Sequence, residues 1–426
     1  MTGLNSDRPS VHTLSNGVTV ICDSAASFET IAVSVVAGRG ARWEDPGRSG
    51  WSHLLEHMVF KGAGGRDARQ IVEAIEARGG QLNAATGHER TSFQVRALAG
   101  ELPLALEILG DLLQRPTLDE EDLVREKRVV GQEIAEAADT PDDQVFELAQ
   151  SAAFAGQALG RPILGKTETV GAADPRALES WRAAVYAPDR LVISAAGAID
   201  QAELLAHAQN FFGHSASPAA RTPDQARFTG GAVAERRRLE QAHLVFLLPA
   251  PGSLDPDIWA LRLFVEMLGG GMSSRLFQEA RERLGLAYAI DAYSDSYADV
   301  GVLGIYAGCD AADAAALGKV AAEQIRALSV QVTGPELGRA KAQLKAGLFM
   351  SRESLLSRAE LAASQWLTFG QLQSPRELAL AIDAVSAEDI ARLGARLLDP
   401  GLATISSLGP KNAASARPAF IDALFA

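Results

Sequence analysis

The pattern of apolar and polar positions predicts strands and helices in a regular order along the first half of the chain. Positions 17–21 and 31–36 are mostly apolar, and apolar residues alternate with polar ones over positions 91–98, as in β-strands. Residues 51–60 follow a helical period, and a second helix is predicted at 68–78.

The second half repeats this order. A strand is predicted at 243–248, a helix at 258–268, another helix at 274–283 and a strand at 302–307. The two halves share the pattern of elements with little identity of residues. We therefore interpret the chain as a duplicated structural unit.

A segment rich in Pro, Ser and Ala lies between the halves. Residues 213–230 combine small and polar residues with prolines, and the stretch closes at Gly230-Gly231, which is typical of a linker between domains. A chain of 426 residues is also longer than most single domains. The sequence thus predicts an N-terminal domain at 1–212 and a C-terminal domain at 231–426.

Composition narrows the class of protein. The net charge of −13 argues against a nucleic-acid-binding surface and favours neutral or cationic partners. Cys22 and Cys309 are the two cysteines, which gives no disulfide framework and indicates buried, reduced thiols. No signal peptide or membrane-spanning run is recognisable, so we expect a cytoplasmic protein without membrane contact.

The residues with the clearest chemistry lie in the helix predicted at 51–60. His53 and His57 are four residues apart and project from the same helix face, so both imidazoles can reach one metal ion. Glu56 lies beside them, which gives H-x-x-E-H, the inverted form of the zinc-peptidase motif H-E-x-x-H. The second-half helix carries Arg262 to Glu266 at the corresponding place, so metal binding is expected in the first half alone.

A catalytic zinc site needs one more protein ligand. Residues 117–120, Thr-Leu-Asp-Glu, read as a capping box that opens a long acidic helix, which runs to about Ala138. Glu126 and Glu133 lie seven residues apart on one face of this helix, so either could be the ligand. Spacing alone leaves both choices open, and a solvated acidic face is the ordinary alternative.

His53 to Gly62, with Glu126 and Glu133 downstream, resembles the pitrilysin and insulinase family of inverted-motif zinc peptidases, especially its half-length bacterial members in the mitochondrial processing peptidase branch. The resemblance covers essentially the whole chain. It implies an α+β fold of two structurally similar domains, each a mostly antiparallel β-sheet covered by helices. In that family the third ligand is a Glu about 76 residues beyond the second histidine, and this distance leads from His57 to Glu133.

The resemblance also implies roles for further residues. Glu126 matches an acid that orients a metal-bound histidine. Asn83 and Ala84, after Gly79-Gly80, match an edge strand that pairs with substrate, and Phe93 on the same sheet is expected in the core. The second half contributes three matches, which are a substrate-contacting glycine loop containing Gly270 and Gly271, Arg281 as a ligand of a substrate carbonyl, and Tyr288 as a donor to the oxyanion.

Together these matches imply a zinc metalloendopeptidase with one Zn²⁺ per chain, held by His53, His57 and Glu133. Glu56 would take a proton from the attacking water and pass it to the leaving amine. Expected substrates are unfolded peptides, including basic ones or targeting-type presequences, cleaved in a closed chamber.

The resemblance further implies a dimer, because half-length members enclose the chamber with two chains. A homodimer is our first expectation, with Arg281 and Tyr288 acting in trans, and a heterodimer with a metal-free paralogue is the alternative. Two other functions stay open, a catalytically silent structural or partner subunit and a metal-dependent hydrolase of small molecules.

Overall fold

The computed structural model describes residues 8–214 and 222–426. Their contacts divide the chain into two compact units. Unit 1 contains residues up to 135, 162–224 and 349–374, and unit 2 contains residues 136–161, 225–348 and 375–426.

The described residues form thirteen strands and fifteen α-helices. The strands are β1 (Ser10–Thr13), β2 (Thr19–Ser24), β3 (Thr30–Ala37), β4 (Gly62–Ala63), β5 (Arg66–Asp67), β6 (Gln81–Thr86), β7 (Thr91–Leu98), β8 (Leu191–Gly197), β9 (Gly231–Arg236), β10 (Ala242–Ala250), β11 (Ala287–Ser296), β12 (Gly301–Cys309) and β13 (Thr404–Gly409). The helices are α1 (Trp51–Val59), α2 (Ala68–Glu76), α3 (Leu102–Gln114), α4 (Glu120–Asp139), α5 (Pro141–Ala153), α6 (Thr167–Gly171), α7 (Pro175–Val185), α8 (Gln201–Phe212), α9 (Ile258–Gly269), α10 (Ala314–Val330), α11 (Gly334–Ser351), α12 (Leu355–Phe369), α13 (Pro375–Ala384), α14 (Ala387–Leu398) and α15 (Ala416–Leu424). A π-helix spans Phe277–Arg283.

The main sheets of the two units share one topology. In unit 1 the strand order is β1-β2-β8-β3-β7-β6, and in unit 2 it is β9-β13-β10-β12-β11. In each sheet one pair is parallel, β2 with β8 and β9 with β13, while the other neighbours are antiparallel. Apart from the extra strand β1, the second sheet repeats the first. The predicted α+β fold of two similar domains is therefore confirmed.

Each sheet is buried on both faces because alternate residues of its central strands enter different cores. In unit 1, Val33 and Val35 of β3 pack with α1 and α3, whereas Ala32 and Val36 pack against α12. Unit 2 follows the same rule: Phe246 of β10 faces one core, and its neighbours Val245 and Leu247 face α5. This double coverage explains why the central strands read as nearly continuous apolar runs.

The helix that covers the second face of each sheet comes from the other half of the sequence. Helix α5, in the first half of the chain, belongs to unit 2, and α12, in the second half, belongs to unit 1. Each unit is thus built from segments that are separate in the sequence, whereas the predicted division at residues 213–230 gives each domain one continuous segment. That linker includes residues 215–221, outside the described part of the chain, and the predicted boundaries stay a prediction.

The predicted elements correspond to observed ones, with ends shifted by a few residues. The capping box at 117–120 is wrong. Asp119 caps α4 instead, because its Oδ1 accepts hydrogen bonds from the backbone N–H groups of Glu121 and Asp122 at 2.8 and 3.4 Å. The N–H of Thr117 donates to the carbonyl of Gly62, so Thr117 belongs to the connection with β4.

The cysteine prediction is confirmed, since Cys22 and Cys309 are both buried and free. Burial raises the pKa of Cys22 to about 11 and that of Cys309 to about 12, so both stay protonated near neutral pH. Among the helices of the described ranges, we find none with the length and apolar character that crossing a membrane requires.

Candidate metal centre and active site

Helix α1 presents two histidines from a rigid base. Its buried face inserts Leu54, Leu55 and Met58 into the core of unit 1. The carboxylate of Glu44 caps its first turn, accepting hydrogen bonds from the N–H groups of Gly50 and Ser52 at 2.8 and 2.7 Å. The helix backbone that carries the side chains of the opposite face is therefore held in place.

His53, His57 and Glu133 come together on that face. Nε2 of His53 lies 3.7 Å from Oε2 of Glu133, and Nε2 of His57 lies 3.5 Å from the same oxygen. Two atoms bound to zinc at about 2.0–2.1 Å with tetrahedral angles are about 3.3–3.4 Å apart. The observed separations are close to this value and too long for ordinary hydrogen bonds.

The donor set fits a divalent metal ion. Each of the three residues offers a ligand atom within 4.8 Å of the others. Oε2 of Glu133 and Nδ1 of His53 are buried without a hydrogen-bond partner in the described structure. A buried carboxylate oxygen without a partner is costly, and a cation between the three side chains removes that cost. Two histidines and a glutamate form a known catalytic zinc set that leaves one position open.

The imidazole of His53 is suited to ligation near neutral pH. Burial, with a smaller contribution from neighbouring His57, lowers the pKa of His53 to about 4. The ring is therefore neutral and has a free lone pair at physiological pH, as metal binding requires.

Glu126 lies behind His57 on the same helix as Glu133. Its Oε2 is 3.1 Å from Nδ1 of His57, and its side chain is only 7 % exposed. With the proton on Nδ1, His57 donates to this carboxylate and directs Nε2 towards Glu133. Of the two glutamates that spacing left open, Glu133 faces both histidines and Glu126 faces the far side of one.

Glu56 lies on the same helix face as the two histidines, where a general base is expected. Its Oε2 accepts a hydrogen bond of 2.5 Å from the hydroxyl of Thr86, the last residue of β6. Burial raises the pKa of Glu56, and the hydrogen bond from Thr86 opposes that shift. A raised pKa brings the carboxylate nearer to the range that suits proton transfer at neutral pH.

Strand β6 forms one edge of the unit 1 sheet and carries Asn83 and Ala84. It pairs with β7 on one side, where Ala84 is opposite Phe93, which is fully buried as expected. Asn83 is exposed. A cleft of about 360 Å³ adjoins this strand, lined by Glu76, Gln81, Leu82, Asn83, Gln94, Arg96 and Leu356. An open edge of this kind can accept an extended peptide as an added strand.

The residues predicted from the second half lie in unit 2. Arg281 is in the π-helix, and its guanidinium lies 5.5 Å from the ring centre of Tyr288. Tyr288 is 78 % exposed. Gly270 ends α9 by donating its N–H to the carbonyl of Glu266, and a Cβ on Gly271 would meet open space. The structure thus brings Arg281 and Tyr288 together and leaves both available to a ligand.

Sequence reasoning missed Thr86 as a partner of Glu56. The motif gives the position of the acid but carries no information about a residue thirty positions away on a strand. The available signal was the position of Thr86 at the end of the strand that contains Asn83 and Ala84. That strand, β6, contacts α1 in the fold.

Comparison with known sequences identifies the family. Residues 19–167 match the description Insulinase (Peptidase family M16), and residues 173–344 match Peptidase M16 inactive domain. An uncharacterized zinc protease of Rickettsia bellii (strain RML369-C) is 34% identical over 403 residues, which cover 94% of this chain and 98% of that protein. The chain belongs to the insulinase family of peptidases, family M16.

A second sequence relative and a solved structure are also similar to this chain. An uncharacterized zinc protease of Bacillus subtilis (strain 168) is 35% identical over 93% of this chain and 98% of its own length. A protease from Helicobacter pylori, known from a crystal structure, is similar to this chain with a TM-score of 0.88 at 20% identity, covering 95% of this chain and all of that one. The sequence relatives show the family, and the solved structure shows the shared fold.

Proposed function

We propose that this protein is a zinc metalloendopeptidase that holds one Zn²⁺ per chain. The triangle of His53, His57 and Glu133 carries the proposal, because its donors and separations suit zinc and Glu56 lies on the same helix face. Family membership supports peptide hydrolysis, since its relatives are described as zinc proteases.

The chemistry follows from the placement of the side chains. Zinc, when bound, acts as a Lewis acid that acidifies a water and polarises a carbonyl. Glu56 accepts the proton of the attacking water and later donates it to the leaving amine. Thr86 holds the carboxylate in place while the proton moves, and Glu126 keeps His57 in the tautomer that ligates. No covalent intermediate with the protein is required.

Arg281 and Tyr288 are proposed to contact the substrate. The phenol of Tyr288 would donate a hydrogen bond to the oxyanion, and Arg281 would hold a substrate carbonyl. Their contact with each other and the exposure of Tyr288 support this role. Arg281 also lies over the ring of Phe277 at 4.7 Å, which restricts the guanidinium.

Unfolded peptides, including basic or presequence-like ones, are the proposed substrates. A peptide that pairs with β6 must be extended, so a folded protein would have to unfold locally. Asn83 and Ala84 lie in the middle of this strand and would line the bound peptide. The net charge of −13 favours basic peptides, and a cleavage rate that falls with rising salt for cationic peptides would support capture by charge.

The proposal is tested by metal analysis together with peptide hydrolysis. Purified protein should bind about one zinc ion per chain and cleave unstructured peptides, and a chelator should abolish cleavage until zinc is restored. Glu56→Gln is the matched control, because it should bind zinc without turnover. Zinc binding without cleavage of any unstructured peptide would favour a catalytically silent partner subunit, in keeping with the second-half match to an inactive domain.

A homodimer enclosing a chamber is the proposed assembly, with Arg281 and Tyr288 acting on the zinc site of the other chain. Mixing Glu56→Gln chains with Tyr288→Phe chains tests this arrangement. In a mixed dimer, the zinc site of the Tyr288→Phe chain would combine its own intact Glu56 with the intact Tyr288 of the other chain. Recovered activity supports sites shared between chains. Absence of recovery in dimers shown to mix would contradict it.

A further inference from the structure

Lys61 lies two residues beyond the C-terminal end of α1. The H-x-x-E-H motif assigns this lysine no role in catalysis or metal binding. Its Nζ is 2.8 Å from Oε1 of Glu126, and its side chain is one-third exposed. Its backbone N–H donates to the carbonyl of Met58 at 3.1 Å, which anchors the residue to the last turn of the helix. The ammonium therefore reaches a nearly buried carboxylate from a fixed point.

The two oxygens of Glu126 have separate partners. Oε2 faces Nδ1 of His57 at 3.1 Å, and Oε1 faces Nζ of Lys61 at 2.8 Å. A carboxylate held at one oxygen can rotate about its terminal bond, whereas one held at both cannot do so without breaking a contact. Lys61 thus determines where the lone pairs of Oε2 point.

Lys61 also compensates the charge of Glu126. The side chain of Glu126 is 7 % exposed, and a buried carboxylate requires a cationic or hydrogen-bonding partner. His57 supplies one N–H, and Lys61 supplies a full positive charge at short distance. Without Lys61, the carboxylate would lose its cation and gain freedom to turn away from His57.

We propose that Lys61 is a positioning residue of the metal centre, acting through Glu126 to hold His57 in the orientation and tautomer that bind zinc. The chain of contacts runs from Lys61 through Glu126 to His57, and from there to the zinc position beside Glu133. This inference rests on the proposed function, since it assumes that His57 is a ligand.

The direction in which zinc affinity changes when Lys61 is replaced distinguishes a positioning role from a purely electrostatic one. The positive charge of Lys61 repels a divalent cation, so removing it would by itself strengthen zinc binding. Loss of an outer contact that orients a ligand typically weakens metal affinity about 10- to 100-fold. A positioning role therefore predicts weaker zinc binding in Lys61→Met, whereas charge repulsion alone predicts tighter zinc binding.

The experiment measures zinc affinity of the full-length apo protein by competition with a chromophoric chelator. Lys61→Met should bind zinc about 10- to 100-fold more weakly than the wild type, and Lys61→Arg should restore most of the affinity, because it keeps the charge and the hydrogen bond. Lys127→Met is the matched control. Lys127 is the neighbour of Glu126 on α4 and donates to the carbonyls of Gly171 and Ala173, so its loss should leave zinc affinity within about twofold.

Two further measurements show whether Lys61 acts through Glu126. In a Glu126→Gln background, Lys61→Met should change zinc affinity by less than about twofold, because the contact it serves is already lost. In the apo protein above pH 8, the ¹⁵N shifts of His57 should report a proton on Nδ1 in the wild type and a shift towards the other tautomer in Lys61→Met.

The outcomes are distinct. Unchanged or tighter zinc binding in Lys61→Met, or an equal loss in the Lys127→Met control, overturns the role of Lys61 while leaving the proposed function intact. If the wild type itself binds no zinc, the proposed function fails first.

Discussion

The hydroxyl of Thr86 donates a hydrogen bond of 2.5 Å to Oε2 of Glu56. This contact joins the final residue of the edge strand β6 to the acid of the helix that carries both histidines. A carboxylate that must exchange protons with a water and an amine benefits from a fixed orientation. The bond therefore connects the proposed peptide-binding edge with the proposed base.

Thr86→Val should lower kcat about tenfold, because a hydrogen bond to a charged group is worth about 1.5 kcal/mol and a tenfold change in rate corresponds to about 1.4 kcal/mol. Thr86→Ser keeps the hydroxyl and should retain most of the rate. Steady-state kinetics on a quenched fluorescent peptide measure both variants. Equal rates for wild type and Thr86→Val would remove Thr86 from the mechanism.

Glu56→Gln should bind zinc like the wild type and lose at least about a hundredfold in kcat, the lower range for a general base. The amide keeps the size of the side chain and cannot take the proton of the attacking water. Metal content and peptide hydrolysis are measured on the same preparation. Substantial turnover in this variant would assign the base to another residue.

Glu133→Gln should weaken zinc binding by more than the 10- to 100-fold typical of outer contacts, because an amide oxygen replaces a charged ligand. Glu136→Gln is the control, since Glu136 lies on the same helix and is exposed. Chelator competition gives both affinities. A variant pair with the same affinity would argue for a different third ligand.

His53 in the apo protein should titrate at about pH 4, below its ordinary value of 6.5, because burial disfavours the charged ring. Between these values the unfolded chain binds a proton at this site that the folded chain does not. The free energy of unfolding should therefore fall as the pH is lowered from about 6.5 to about 4, and His53 should contribute no pH dependence above about 7.

Histidine NMR titration of the apo protein measures this pKa directly, with His53→Gln to assign the resonance. Comparison of urea unfolding at pH 7 and 5, in the wild type and in His53→Gln, measures its contribution to stability. A pKa near 6.5 would show that the ring is more solvated than its surroundings indicate.

Arg358→Met should destabilise the protein by about 3 kcal/mol, because it leaves the carboxylate of Asp23 without its partner in a mostly buried pair. The guanidinium binds both oxygens of Asp23, at 2.8 and 2.6 Å, and so fastens α12 to β2. Arg69→Met provides a control from an exposed ion pair with Glu73 and should cost less than about 1 kcal/mol. Urea denaturation measures the free energy of unfolding of both variants. A similar loss in the two would show that packing alone holds α12.

The sequence predicted elements with a strong local signal. The strand Thr91–Leu98 is observed with the predicted ends, and α1 begins at the predicted residue, because alternation and helical period reflect the burial of one face. The N-terminus of α4 was misjudged. Thr117 and Glu120 have the spacing of a capping box. Leu118 between them, however, has a positive φ of 49°, which is not helical, so the helix begins after it and Asp119 is the cap.

The sequence by itself determined the chemistry of the centre, since two histidines four residues apart and an adjacent acid share one helix face wherever that helix lies. It also determined that the halves repeat, because both carry the same order of strands and helices. Only the tertiary structure decided which glutamate faces both histidines, that Thr86 and Lys61 reach Glu56 and Glu126, and that α5 and α12 each cover the sheet formed mainly by the other half. The physical reason is that these contacts join residues distant in the chain, and packing between elements, which local periodicity does not encode, brings them together.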